Sequence, residues 1–430
     1  MKRRQYDKTY LSSKSSYVMN QDVTHLNNNE VIIAPTGNGK TTSFVEPRLL
    51  NAENQSYVIP LNKSVLAEQY KLFLESKGYK VFILDLANPH KTKIGFDPLQ
   101  FIHNEEDARW FADSIVNIHK DNEHCDPYWN ESATALLTAE IVMLKKIRDD
   151  IPLTLKDLIS FHNSIKLMEI KGTTVTNVDS LFKGIEEEDP DSLATTGWKQ
   201  ISSNPFKTAS NIYTMVSNRL DNIFTTGLID LSEKRRKLNI LNIAKQKTIL
   251  FVITSPIKLN THNYSNLLYS ILFKELFEFA EKQNDYHLPI ATHFILDDAC
   301  ASGIPKLDTF ISIFRAIGIS LTMNFQSINQ LYSLYGKDSG NIILGNCDTF
   351  IFGRTNDFST MQEVSKRLNK SLDEIQCIPY DHFVICRAGE MPRIEQRYQT
   401  YEDPNYEVMQ SMYRESLNKK NKEVEMESLS

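Results

Sequence analysis

The chain is short of the features that mark several protein classes. Its five cysteines (Cys125, Cys300, Cys347, Cys377 and Cys386) form no C-x-x-C pair, which argues against a disulfide framework or a zinc ribbon and fits a reducing cytosol. The ten histidines show no H-x-x-x-H or H-E-x-x-H spacing, so no metal centre made of protein ligands is expected. Glycine and proline, 15 of each, are too few for a collagenous or low-complexity chain. An excess of positive charge is also missing. Lys plus Arg total 48 against 54 for Asp plus Glu, a net charge of −6, so any contact with nucleic acid has to be local. The one basic concentration is residues 1–14, where Lys2, Arg3, Arg4, Lys8 and Lys14 face only Asp7; it reads as a solvated terminus. Long apolar runs are absent too. The uncharged stretch with most apolar content, leading up to Gly336, is interrupted by Ser320, Thr322, Asn324, Gln326, Ser327, Asn329 and Gln330, which a bilayer core would penalise. What remains is 430 residues, 41% hydrophobic and 24% charged, enough for two or three packed domains.

The first hundred residues alternate short apolar runs with helical spacing: Val31 to Ile33, Tyr57 to Ile59, the amphipathic Val65 to Ser76, then Val81 to Leu84. That alternation predicts βαβ units around a parallel sheet. From about 105 to 235 the pattern becomes helical, at Ala108 to Ile118, Ser132 to Ile147, Leu155 to His162 and Ala209 to Leu220. Strand-like runs resume at Thr248 to Thr254, Thr292 to Leu296, Leu321 to Phe325, Thr349 to Phe352 and His382 to Cys386, and a turn at Ala388 to Pro392 is placed to join two antiparallel edge strands. The expected organisation is a nucleotide-binding α/β domain from 1–105 and 235–404, an inserted all-α domain at 106–234, and a flexible tail at 405–430. Trp110, Tyr128 and Trp129 fall in the helical patterns and are expected in the core.

The run V-I-I-A-P-T-G-N-G-K-T-T from Val31 to Thr42 carries the chemistry. A strand enters a glycine-containing turn and a helix leaves it, so backbone N–H groups and the helix start converge on one point and can hold phosphate. The candidate nucleotide loop is Pro35, Thr36, Gly37, Asn38, Gly39, Lys40, Thr41 and Thr42. Lys40 would sit between the β- and γ-phosphates, Thr41 would ligate Mg²⁺, and Thr42 would reach the α-phosphate. Ala34 stands where the usual G-x-x-x-x-G-K-[ST] pattern has its first glycine; alanine costs little there if φ stays negative.

A second strand, H-F-I-L-D-D, ends in two carboxylates, and the carboxyl ends of strands are where open α/β sheets bind ligands. Asp297 is the expected Mg²⁺ partner and Asp298 the residue that orients or deprotonates attacking water. Gln326 ends the next strand, where a neutral amide can report a γ-phosphate by hydrogen bonding.

These residues, with L-D-D-A-C-A-S-G-I-P-K-L-D-T-F-I-S-I-F-R-A-I-G-I-S-L-T-M-N-F-Q-S-I-N-Q-L-Y-S-L-Y-G, N-C-D-T-F-I-F, K-G-Y-K-V-F-I-L-D-L, F-D-P-L-Q and D-P-Y-W-N-E-S-A, resemble the TraG-type coupling proteins of conjugation and type IV secretion over roughly residues 20–400. The resemblance implies a RecA-like P-loop domain with a mostly parallel sheet and an inserted all-α domain. It implies a hexameric ring that uses ATP and Mg²⁺ to deliver relaxase-bound single-stranded DNA to a secretion channel, in company with the channel's ATPases. It offers Arg315 or Arg354 as a finger to a neighbouring subunit's γ-phosphate. Many members begin with transmembrane helices, whereas here Lys40 comes too early for one, so a separate anchor protein is expected to hold a cytoplasmic chain at the inner face of the membrane.

Other departures are chemical. The family's D-P-K-G-E aligns with Leu61 to Val65 and loses its aspartate and glycine, the acidic pair is Asp-Asp rather than Asp-Glu, and Ile317 stands where a second arginine is frequent. They bear on hydrolysis rate more than on binding. These departures make a nucleotide-binding recruiting scaffold, hydrolysing weakly or not at all, one alternative function; an FtsK-like duplex DNA translocase, which shares the motor physics, is the other.

Overall fold

The computed structural model describes residues 5–118, 126–148, 151–296 and 303–428. The strands are β1 (Lys8–Tyr10), β2 (Ser16–Val18), β3 (Glu30–Ile33), β4 (Ser56–Leu61), β5 (Lys80–Asp85), β6 (Leu167–Ile170), β7 (Thr173–Thr176), β8 (Thr248–Ile253), β9 (Thr292–Leu296), β10 (Ile319–Phe325), β11 (Thr349–Phe352), β12 (His382–Arg387) and β13 (Arg393–Gln396). Nine of them form one sheet in the order β13-β12-β11-β3-β10-β9-β4-β8-β5. Seven of these run parallel, and only β12 and β13 pair antiparallel, at one edge. The central strands β3, β4, β8, β9 and β10 are buried along their whole length, which is why they read as continuous apolar runs and not as alternations.

Between β5 and β8 the chain is mostly helical. Helices Glu105–Val116, Pro127–Arg148, Leu155–Ser164, Asp179–Glu188, Leu193–Ser202 and Phe206–Ile223 share a continuous core with one face of the sheet. Trp129 and Trp110 pack against that core. One departure from helix is the β6–β7 hairpin. β6 is mostly exposed, and the two buried positions of β7, Thr174 and Thr176, are polar, so the pair lacks the apolar alternation from which a strand is read. The other sheet face packs against helix Val65–Ser76 and, through buried Met409, the helix Pro404–Ser428.

The amino-terminal segment departs from a solvated terminus. β1 and β2 form a hairpin, and buried Asp7 accepts hydrogen bonds from the Asn54 amide at 2.7 Å and the Tyr57 hydroxyl at 2.7 Å. Among the described residues no helix is long and apolar enough to cross a membrane.

Candidate nucleotide site

The loop from Ala34 to Lys40 leaves the carboxyl end of β3, with β10 and β11 on either side. Its first amide, that of Ala34, donates to the Phe325 carbonyl of β10 at 2.9 Å, and the Gly353 amide beyond β11 donates to Ile33 at 2.9 Å. These two bonds fix where the loop starts. Ala34 keeps a negative φ, and its methyl group is accommodated from across the sheet: a Cβ on Gly353 would lie 2.7 Å from the Ala34 Cβ. The missing side chain at 353 therefore makes room for alanine at the loop's first position.

Gly37 and Gly39 take φ of +87° and +72°, the left-handed region that glycine enters without penalty. Neither amide has a protein acceptor among the described residues. Two N–H groups of a tight turn held without acceptors form a concavity suited to phosphate oxygens. Buried Lys40, 4% exposed, folds its ammonium back onto the Ala34 carbonyl at 2.8 Å and the Pro35 carbonyl at 3.4 Å. The Asn38 side-chain amide donates to the Pro35 and Arg354 carbonyls, each at 3.3 Å, and thereby ties the loop to the end of β11. Pro35, Thr36 and Thr42 line the exposed rim. Thr41 opens a π-helical turn, Thr41–Val45, that continues into helix Glu46–Leu50. Single π turns occur within helices, frequently at functional sites.

Beneath the loop a buried ion pair joins the helix after it to the strand before it. Arg48 pairs with Glu30, the two 1% and 0% exposed. Glu30 also accepts from the Tyr17 hydroxyl at 2.9 Å and from Thr322 of β10 at 2.7 Å. Nearby His293 is hydrogen-bonded to Ser320 and Thr322, and burial, with Arg48 adding to it, lowers its pKa well below the usual histidine value.

Gln326 follows β10 directly, one residue past Phe325, so it stands beside the loop; it is exposed, and its backbone amide donates to Gln330 at 2.7 Å. Arg354 follows β11 on the loop's other flank. Asp297 and Asp298, with their expected metal and water-orienting roles, lie outside the described residues. Arg315 is not brought to this edge. It sits near the end of helix Leu307–Ile317, just before β10 begins, and lines a hollow with Gln21, Asp22, His25, Ser312 and Ala316. That is the amino-terminal end of the central strands, whereas the loop leaves their carboxyl ends, so Arg315 lies away from the loop of its own chain.

Sequence reasoning missed the residues that close over the loop. β12 starts and β13 ends at the loop's edge, since His382 pairs with Gln396. Tyr380 and Arg397 therefore flank the loop: the Tyr380 hydroxyl donates to the Gly37 carbonyl, and Arg397 lies over the Tyr380 ring, 5.1 Å from its centroid. Farther on, Thr400 donates to the Thr42 carbonyl, and Ser43 donates to the Tyr398 carbonyl at 3.4 Å. The turn at 388–392, which signals a hairpin and so a return to the same edge, was the one available clue.

A separate groove of about 1280 Å³ lies among helices Glu105–Val116, Pro127–Arg148 and Leu193–Ser202, lined in part by Glu106, Arg109, Trp110, Glu131, Gln200 and Lys306.

A strand, glycine loop and helix at the centre of a mostly parallel sheet define a RecA-like P-loop nucleotide-binding fold carrying a helical insertion. Residues 4–374 match the family model described as type IV secretory system conjugative DNA transfer, and the chain belongs to that family. The fold is shared with the plasmid coupling protein TrwB in complex with the non-hydrolysable ATP analogue ADPNP, at a TM-score of 0.65 and 15% identity over 94% of this chain and 97% of that one. TrwB in complex with ADP and Mg²⁺ aligns at a TM-score of 0.62 and 16% identity, covering 87% and 86%. VirB4 of Thermoanaerobacter pseudethanolicus aligns at 0.53 and 12% identity, covering 88% and 90%. No curated protein sequence matches the chain.

Proposed function

We propose that this chain is the ATP-driven coupling motor of a conjugative type IV secretion system, receiving relaxase-bound single-stranded DNA and passing it to the channel. The observation that carries the reading is the loop itself: two glycine amides without acceptors among the described residues, beside a buried lysine whose ammonium rests on a loop carbonyl. A bound triphosphate would draw Lys40 from Ala34 onto its β- and γ-oxygens and accept the two amides. Thr41 and Asp297 would hold Mg²⁺, which when bound neutralises the developing phosphate charge; Asp298 would orient water and Gln326 would sense the γ-phosphate. That TrwB is seen with ADP and Mg²⁺ and with a triphosphate analogue supports this assignment. Arg315, at the amino-terminal ends of its own sheet's strands, could complete a site only in a neighbouring copy, as a hexameric ring would allow. Arg354 is the alternative finger. The division into 1–105 with 235–404 and an inserted 106–234 is part of the same reading, the groove beside Trp110 being the place for a relaxosome or channel partner.

Phosphate release from MgATP, measured with and without single-stranded DNA, tests it. Lys40→Ala should lose about a hundredfold in rate, as removal of one preorganised charge donor does, while keeping its fold because Lys40 is a loop residue. Equal rates in the two proteins would refute catalysis at this loop. ATP binding without turnover under any DNA condition would instead favour a recruiting scaffold, and stimulation by duplex over single strands would favour a duplex translocase.

A further inference from the structure

We propose that Arg397, delivered by the antiparallel edge hairpin, is a second phosphate-binding cation of the nucleotide site, acting on the α/β-phosphate end of a nucleoside di- or triphosphate. The proposal rests on the reading that loop 34–42 holds nucleotide. Three observations carry it. The guanidinium lies directly against the loop: a Cβ on Gly39 would be 2.6 Å from Arg397 Nη1, so only glycine at 39 permits this approach. The same Cβ would be 3.1 Å from the Thr42 hydroxyl, which places Arg397 on the Thr42 side of the loop, whereas Lys40 rests on the Ala34 and Pro35 carbonyls. The two cations thus address different parts of one phosphate chain.

The third observation is that Arg397 is half-buried with no carboxylate in ion-pair distance among the described residues. The ring of Tyr380 lies against it. A partly desolvated cation set on an aromatic face, with no carboxylate beside it, is under-compensated. A phosphate offers what is missing, a planar bidentate match to the guanidinium fork. Tyr380 positions both parts, with its ring under Arg397 and its hydroxyl on Gly37. Both residues lie beyond the 4–374 span that matches the family model.

The full chain, titrated with a fluorescent ADP analogue and Mg²⁺ at two salt concentrations, provides the test. Replacing Arg397 with a neutral side chain should raise the Kd about tenfold, the cost of one lost hydrogen bond to a charged group, and should make binding less salt-sensitive. Arg397→Gln and Arg397→Met are made in parallel, and whichever melts like the wild type is titrated. Tyr380→Phe, which keeps the ring, should change the Kd by less than about threefold. A neutral variant with wild-type Kd and salt dependence overturns the proposal and leaves the loop's nucleotide binding standing. So does a tenfold loss in Tyr380→Phe, because the edge would then act through loop shape and not through charge. A wild-type chain that binds no ADP removes the reading beneath both.

Discussion

At the scale of single residues, the loop's first position is fitted to its neighbour at the end of the adjoining strand. Ala34 in place of glycine is tolerated because Gly353 vacates the space opposite it, so Gly353→Ala should disturb the loop more than its distance in sequence suggests. The Glu30–Arg48 pair is not chemistry but positioning. It clamps the helix after the loop to the strand before it, and Thr322 and Tyr17 satisfy the carboxylate's remaining capacity. Glu30→Ala would strand a buried guanidinium, and the expected loss is about 3–5 kcal/mol of stability, read as a lowered midpoint in denaturant titration. The turn after β3 was legible in sequence because its residues are contiguous and its backbone conformation demands glycine at 37 and 39. Arg397 was not, since an isolated arginine hundreds of positions away carries no local signal until a sheet register brings it to the loop.

At the scale of elements, strands buried on both faces declared themselves as apolar runs, and β9 and β11 begin and end where the sequence places them. The hairpins β1–β2 and β6–β7 did not, because their strands are only three or four residues long and their buried positions, Thr9, Thr174 and Thr176, are polar. The segment after β13 also gained meaning only in three dimensions. Its polar composition suggests fraying, yet it runs alongside the helix that follows the loop: Asn51 donates to Asp403 at 2.8 Å, and Asn405 donates to the Leu50 carbonyl at 3.3 Å. One element carries a pH dependence. Asp97 caps the short helix Pro98–Phe101, accepting from the Leu99 amide at 3.1 Å, and burial pushes its carboxyl up from 3.8 to about 6. The neutral acid is thus favoured in the folded chain, and the stability it confers is complete below about pH 4 and lost as pH rises through about 6. Relative to Asp97→Asn, the wild type should therefore lose stability between these two values, as denaturation midpoints across that window would record.

At the scale of the whole molecule, the sheet order puts the loop of residues 34–40 between β10 and β11 at the strands' carboxyl ends, and the helix before β10 leaves Arg315 at their amino ends. In the proposed motor, this separation would suit head-to-tail association in a closed ring, with Arg315 meeting the loop of a neighbouring copy. The helical insertion shares its core with the sheet. The central claim, that MgATP is held and consumed at this loop, is tested most directly by a structure of the chain with Mg²⁺ and a non-hydrolysable ATP analogue. The account predicts phosphate density on the Gly37 and Gly39 amides, with the Lys40 ammonium moved from the Ala34 carbonyl onto it. Lys40 still resting on Ala34 beside an empty loop, at saturating analogue, would contradict it.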